Sequence, residues 1–413
     1  MITVVGLGFV GLTTALGFAH YGQTVYGIDI DKERTSMIGS GKLPFFEDGL
    51  DTALSDNLGK RFFIAENAGE AIKKSSIVFY CVGTPYGKNG KADLSYLFSA
   101  LDNTLENLGG NKKVLVVKST VPPTTVSERV IPYIESKGVH VGTDVIVANN
   151  PEFLREGHCW DDFVHPDRIV IGCNDHEGIR ILTDLYRPFA VPVCPVSTNT
   201  GEFIKYLSNT FLATMISYSN EMSKTANAFG GIDVAEAFRI FHMDKRWKNG
   251  GMATYAYPGC GYGGYCLPKD TNALYAAAKA RGADPYILGD VIKTNKNMPQ
   301  WVVGQITGKV RPKQKIGILG LSFKPGSDDV RDCASAKIIS GLIENGYTNI
   351  YGYDPVASKA FKAKYSLPIH YISTLDDICG IADVLVILTA WPEFKELKKT
   401  DNLNVLDFRY MEI

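Results

Sequence analysis

The run Pro258-Gly259-Cys260-Gly261-Tyr262-Gly263-Gly264-Tyr265-Cys266-Leu267-Pro268-Lys269-Asp270 places a thiol at the end of a glycine-rich turn. The four glycines let the backbone turn sharply and admit a bulky group close to the main chain. Pro268 suits the first turn of a helix, which puts Cys266 at the helix N-terminus. Unpaired amides and the positive end of the helix dipole there favour thiolate over thiol, and a thiolate adds to a carbonyl carbon. Asp270, four residues on, faces the same side and can handle protons. For either cysteine alone, a buried thiol in a tight turn is the plain alternative. A second pair, Lys205 and Asn209, has i, i+4 spacing in a helical pattern, so one ammonium and one amide aim at a common point. That set suits a developing oxyanion, against the alternative of a solvated helix face.

These side chains need a scaffold, and the N-terminus supplies a recognisable one. The β-run Ile2-Thr3-Val4-Val5 leads into Gly6-Leu7-Gly8-Phe9-Val10-Gly11, a helical pattern from Leu12 to Tyr21, and a second β-run, Thr24 to Ile28, that ends in Asp29. Strand, G-x-G-x-x-G, helix, strand and acid in this order make the dinucleotide fingerprint. Gly6 permits the turn, Gly8 admits the pyrophosphate, and Gly11 allows close helix packing. Asp29 accepts from ribose hydroxyls and repels a 2′-phosphate, so NAD is expected rather than NADP. Arg34 either offers such a phosphate a partner or lies over the adenine. Apolar runs at Ser76–Val82 and Val114–Val117 suit a parallel sheet buried on both faces. The turns after them place Thr84 and Thr120 where ligands lie in doubly wound sheets, although plain turn or cap roles also fit these threonines.

The same phrases return near the C-terminus. Val25-Tyr26-Gly27-Ile28-Asp29 is echoed by Ile350-Tyr351-Gly352-Tyr353-Asp354, and Ile77–Pro85 by Val384–Pro392. Ser322 and Pro325 stand where the first copy has Gly8 and Gly11, so a nucleotide other than a second NAD is expected there. Between the copies, Asn199 with Glu202 three residues on reads as a capping box for a helix reaching Ala228, with Phe203, Leu207, Phe211 and Met215 at i+4 spacing. Such a helix is long enough to bridge domains and to pair with its copy in a second subunit. The expected fold class is α/β, with two Rossmann-like doubly wound domains joined by a central helical region. The expected division is residues 1–196 for NAD, 197–300 for the long helix and the candidate nucleophile Cys266, and 301–413 for a different nucleotide.

Composition narrows the partners. In 413 residues, 43 basic side chains face 44 acidic ones, which leaves no global field for nucleic acid or an anionic membrane. The opening run lacks a signal-peptide pattern, and the weakly polar stretch Tyr206–Tyr218 is too short to span a bilayer, so a soluble, cytoplasmic protein is expected. Eight cysteines without a C-x-x-C pair read as free thiols, and the scattered histidines predict no metal.

In order along the chain, these motifs resemble the UDP-glucose/GDP-mannose dehydrogenase family: Gly6-x-Gly8-x-x-Gly11, Val82-Gly83-Thr84-Pro85, Lys118-Ser119-Thr120-Val121-Pro122, Asn150–Gly157, Pro166-Asp167-Arg168, Lys205-x-x-x-Asn209, Gly261–Asp270, and Phe323-Lys324-Pro325 followed by Asp328-Asp329-x-Arg331. The resemblance implies a four-electron oxidation of a nucleotide sugar at C6, with Cys266 holding the aldehyde as a thiohemiacetal and then as a thioester. It implies Lys205 and Asn209 as oxyanion partners that also meet the substrate. Asp270 and Thr120 position water or move protons, Glu152 is a further carboxylate, and Glu156 is the base for thioester hydrolysis. Phe9, Val10, Pro85, Thr120, Glu156, Lys269 and Arg331 join the expected cofactor contacts. Glu152, Phe153, Leu154, Arg155, Tyr255, Gly263, Phe323, Lys324 and Arg409 join those to the sugar nucleotide. Arg246 resembles an arginine supplied by the neighbouring subunit, which implies a homodimer with a shared substrate site. Tyr265 before the cysteine points to UDP-glucose, oxidised to UDP-glucuronate, with GDP-mannose or another UDP-hexose as alternatives. A two-electron β-hydroxyacid dehydrogenase would need neither Cys266 nor residues 315–413, and a non-catalytic NAD-binding regulator leaves Cys266, Asp270, Lys205 and Glu156 without a purpose.

Overall fold

The computed structural model describes residues 1–87, 90–244, 255–399 and 403–411. The chain divides into two compact units, Met1–Leu207 and Ser208–Ile413, each with its own sheet. In the first, the strands are β1 (Ile2–Val5), β2 (Val25–Ile28), β3 (Phe62–Ile64), β4 (Ile77–Tyr80), β5 (Lys113–Val117), β6 (Val145–Asn149), β7 (Ile169–Cys173) and β8 (Val193–Val196). Their order is β3-β2-β1-β4-β5-β6-β7-β8. The first six strands pair in parallel, in the order of a doubly wound nucleotide fold. Strands β1, β4, β5 and β6 are buried throughout, as expected of apolar runs covered on both faces. Alternation divides them between two cores: Val4 packs with Leu12, Leu16 and Phe18, whereas Val5 packs with Leu97 and Leu101. Only β7 breaks the pattern, running antiparallel to β6 before β8 pairs parallel with it.

The second unit holds β9 (Ile316–Leu319), β10 (Ile350–Tyr353), β11 (His370–Tyr371), β12 (Val384–Ile387) and β13 (Val405–Asp407), all parallel, in the order β11-β10-β9-β12-β13. This repeats the order β3-β2-β1-β4-β5, so the echoed phrases occupy equivalent strands: β2 matches β10, and β4 matches β12.

The helix Thr198–Phe229 has 32 residues, a length of about 48 Å at 1.5 Å per residue, and the division between the units falls inside it. Its start corrects the expected cap. Ser197 Oγ accepts the Thr200 amide at 3.2 Å, Asn199 Oδ1 accepts the Ser127 hydroxyl at 2.7 Å, and Glu202 Oε1 accepts the Val126 amide at 2.8 Å. Asn199 and Glu202 are thus drawn into tertiary contacts, and Glu202 caps the helical turn beginning at Val126 instead of its own helix. Of the apolar stripe, Phe203, Leu207 and Phe211 are 46%, 54% and 53% exposed, whereas Met215 is buried. Buried instead are Glu202, Lys205, Asn209, Thr210, Ser217 and Asn220, so this helix turns polar side chains inward.

Candidate active site

In the first unit, β1 ends at Gly6, whose φ of +90° turns the chain into the helix Phe9–His20. Gly8 caps that helix without a side-chain hydrogen bond, and nothing lies within 4 Å of where its Cβ would stand. The first-turn amides of Phe9 and Val10 therefore border open space suited to an anion, which fits a dinucleotide pyrophosphate. Gly11 has no such room, since a Cβ there would lie 1.7 Å from the Gly6 carbonyl oxygen. Asp29 accepts the Leu7 and Asp31 amides at 2.7 and 2.9 Å, and Arg34 Nη1 pairs with it at 2.9 Å. Arg34 is thus tied to the acid beside the expected ribose position.

Past the ends of β4 and β5, Thr84 Oγ1 donates to the Thr120 carbonyl at 2.9 Å, which joins two of the expected cofactor contacts and fixes the turn that carries Pro85. Behind them Lys118 is buried. Its ammonium donates to Asn150 Oδ1 at 2.8 Å and lies over the Phe163 ring, and burial pushes its pKa down to about 8. Asn150 also accepts from the Tyr186 hydroxyl and donates to the Val170 carbonyl, which anchors the segment leading to Glu152.

Glu152 and Lys205 form a 2.9 Å ion pair with side chains only 6% and 5% exposed. Burial alone would raise the Glu152 carboxyl, but Lys205, the Leu154 amide and Lys118 outweigh it and hold the acid below its ordinary range. Phe153 adds its ring: Arg168 Cζ lies 4.5 Å from the centroid and Lys205 Nζ 5.5 Å. Arg155 pairs with Asp162 at 2.5 Å, which directs this guanidinium to a neighbouring carboxylate, and Glu156 is half-buried.

In the second unit, Cys266 is the first residue of the helix Cys266–Ala280 and is exposed, whereas Cys260 is buried and its thiol is pushed up to about 12 by burial. The thiol legible in the sequence as a helix N-terminal nucleophile therefore stands where a substrate can reach it, and its neighbour in the turn does not. Asp270 accepts from Asn209 Nδ2 at 2.7 Å and pairs with Lys269, all three being buried. Burial would lower the Lys269 ammonium, but the Asp270 carboxylate outweighs it and raises the group. The glycine turn is packed hard on one side: a Cβ on Gly263 would meet the Asp332 carbonyl at 2.6 Å, and Asp332 itself has a φ of +50°. Arg331 stands beside this turn, its carbonyl accepting the Gly264 amide at 2.9 Å and its guanidinium held by Asp329. Lys324 lies over the Phe323 ring at 5.5 Å, Tyr255 is half-buried, and Arg409 passes so close to Gly259 that a Cβ there would lie 2.1 Å from Nη1. Arg409 Nε is buried without a hydrogen-bond partner among the described residues. Arg246 lies outside the described residues.

Several residues with structural weight had no assigned role in the sequence: Lys118 and Asn150 inside named motifs, Asp329 two residues before Arg331, and Asp354. The last closes the second nucleotide fold. Its carboxylate accepts from the Leu321, Ser322, Val356 and Ala357 amides, the Ser322 hydroxyl and Trp391 Nε1. The turn amides are therefore occupied internally, and residues 321–333 separate the turn from the next helix, Ala334–Glu344.

A doubly wound sheet with an open glycine turn and an acid at the end of its second strand is the arrangement of a dinucleotide-binding fold, and the second unit carries an exposed thiol at a helix N-terminus. Comparison with known proteins is consistent with this. Models of the UDP-glucose/GDP-mannose dehydrogenase family match in three consecutive parts: the NAD binding domain over residues 1–190, the central domain over 199–297, and the UDP binding domain over 317–411. The chain belongs to this family; it is an NAD-dependent oxidoreductase of the nucleotide-sugar dehydrogenase class. It is 36% identical over 408 residues to UDP-glucose 6-dehydrogenase of Rickettsia bellii, covering 96% of this chain and 90% of that protein. Among solved structures, it is similar to a UDP-glucose dehydrogenase of the archaeon Pyrobaculum islandicum, with a TM-score of 0.92 and 34% identity over 100% of this chain and 94% of that one. It also resembles a UDP-D-ManNAc dehydrogenase of Pyrococcus horikoshii, with a TM-score of 0.85 and 27% identity over 100% and 96% of the two chains. Among the described residues no helix is long and apolar enough to cross a membrane.

Proposed function

We propose that the chain oxidises UDP-glucose at C6 to UDP-glucuronate in two successive steps, with the intermediate held on Cys266. The observation that carries the reading is the pairing of an exposed thiol at a helix N-terminus with the buried Lys269–Asp270–Asn209 network one turn further on. NAD, when bound, accepts a hydride at each oxidation. Lys205 and Asn209 stabilise the substrate oxygen as its proton passes to water ordered by Asp270 and Thr120, Lys205 being oriented by Glu152 and Phe153. The Cys266 thiolate adds to the aldehyde carbon, which keeps a reactive aldehyde from leaving, and the second oxidation turns the thiohemiacetal into a thioester. Glu156, with Asp270 and Thr120 ordering water, takes a proton from the water that attacks the thioester; the carboxylate departs and the thiol is regenerated.

The unspent Arg409 Nε, with Lys324 and Tyr255, suits an anionic nucleotide diphosphate, and the apolar stripe Phe203, Leu207 and Phe211 supports a homodimer through the long helix. Arg246 is then the residue proposed to cross into the partner's site. The test is turnover with a panel of UDP-glucose, UDP-N-acetyl sugars and GDP-mannose under limiting sugar. Two NADH and one carboxylate per UDP-glucose are expected. One NADH per sugar with a carbonyl product refutes the four-electron scheme, and preference for another sugar refutes the substrate assignment alone.

A further inference from the structure

Four residues before Cys266, one side chain takes both backbone groups of Tyr262. Asn295 Oδ1 accepts the Tyr262 amide at 2.8 Å, and Asn295 Nδ2 donates to the Tyr262 carbonyl at 3.0 Å. The carboxamide thus stands in for the backbone of a neighbouring strand, exchanging two hydrogen bonds with a single residue. Asn295 belongs to none of the sequence motifs; it projects from the helix Tyr286–Thr307, in the same unit as the thiol. The approach is close: a Cβ on Gly261, whose φ is +103°, would lie 2.7 Å from Asn295 Oδ1. The Tyr262 side chain is itself buried with Ala213 and Val291, and Leu267, the residue after the thiol, packs against this cluster.

The turn before the helix is held at three points. Asn220 Oδ1 accepts the Gly259 amide at 2.6 Å, Asn295 pairs with Tyr262, and the Arg331 carbonyl accepts the Gly264 amide at 2.9 Å. Between Tyr262 and Tyr265 stand only Gly263 and Gly264. Glycine has the most backbone freedom to lose, so a glycine-rich turn keeps one shape only where other groups fix it from outside. Asn295 alone among these anchors grips a residue by both its N–H and its C=O. We propose that Asn295 is a positioning residue for the nucleophile: by pairing with both backbone groups of Tyr262 it sets the glycine turn that delivers Cys266 at the start of its helix. This rests on the reading of Cys266 as the nucleophile.

Asn295→Ala removes both hydrogen bonds, and Asn295→Asp keeps the shape and the acceptor but turns a carboxylate oxygen toward the Tyr262 carbonyl. The experiment measures kcat, KM for UDP-glucose and for NAD, and the pH profile of Cys266 alkylation by iodoacetamide, located by peptide mass, in the wild type and both variants. Cys266→Ala is assayed alongside, and circular dichroism checks folding. Both Asn295 variants are expected to lower kcat about 10- to 100-fold, on the scale of misplacing a reacting group by about 1 Å, with each KM within about threefold of the wild type. The midpoint of alkylation rises by about half a pH unit or more as the thiol loses its fixed place at the helix N-terminus. Wild-type kcat in the folded variants overturns the inference. A fall in kcat with an unchanged alkylation profile also overturns it, since the effect of Asn295 then lies away from the thiol. A raised KM at unchanged kcat overturns it in favour of a turn that holds substrate. Carboxylate formation that persists in Cys266→Ala removes the nucleophile reading and the inference with it; with Cys266→Ala inactive, failure in the Asn295 variants counts against Asn295 alone. If Asn295→Ala is unfolded, Asn295→Asp decides by the same criteria.

Discussion

Replacing Glu202 by glutamine removes part of the protein's pH dependence. This carboxyl is buried near the start of the long helix, three residues before Lys205, with one oxygen accepting the Val126 amide and the other without a partner among the described residues. Burial pushes its pKa from 4.5 up to about 8, although the amides of Val126, Thr124 and Thr125 pull the other way. A carboxyl raised on folding keeps its proton longer in the folded state than in the unfolded chain, so stability is fully present below pH 4.5 and lost as pH rises through 8. At ~1.4 kcal/mol per pH unit the ceiling is ~5 kcal/mol, of which about 4 kcal/mol falls between pH 5 and 9. Glutamine keeps the acceptor for Val126 and does not titrate. Glu202→Gln is therefore expected within about 1 kcal/mol of the wild type at pH 5 and about 3 to 4 kcal/mol more stable at pH 9. Denaturant unfolding at pH 5, 7 and 9, read by a probe in residues 1–207, gives the difference directly. A gap that stays flat across pH, or a variant that loses stability relative to wild type as pH rises, refutes the argument.

Cys266→Ala is expected to lower carboxylate formation by several orders of magnitude while sugar-nucleotide binding persists, and Cys266→Ser to accumulate an NAD-dependent ester adduct visible in the intact mass. Cys260→Ser should remain active, because that thiol is buried and pushed up to about 12; collapse of activity there would move the nucleophile. The wild type should prefer NAD to NADP by more than about tenfold in kcat/KM, and Asp29→Ser should narrow the ratio by freeing Arg34 to meet a 2′-phosphate. Lys118→Met tests the buried ammonium. The wild-type lysine has a pKa of about 8 when folded and 10.5 as its ordinary value, so wild-type stability rises with pH between the two. Any advantage of the methionine variant should shrink by about 3 kcal/mol from pH 7 to pH 10.5 in the same unfolding assay.

What the sequence determined by itself lies in features that act over a few residues. Gly6, Gly8 and Gly11 between two β-runs dictate a turn that any chain with that spacing must form, and the helix there begins at Phe9 as the pattern requires. Pro268 and the glycines before it likewise suffice to put Cys266 at a helix start, and the echo of residues 25–29 in 350–354 suffices to predict two sheets of the same strand order. Tertiary structure decided the rest. Asn199 and Glu202 spell a capping box, yet their side chains bond Ser127 and Val126, 72 and 76 residues away, because packing brings donors from a distant segment beside the helix start, one of them at the exposed Asn199 and the other at the buried Glu202. The antiparallel turn of β7, the inward polar face of the long helix and the Glu152–Lys205 pair have the same origin. No short-range rule selects the partner of a buried charge; the partner is whichever group the packed chain brings within reach, since an unpaired ion in the interior costs more than any local preference returns.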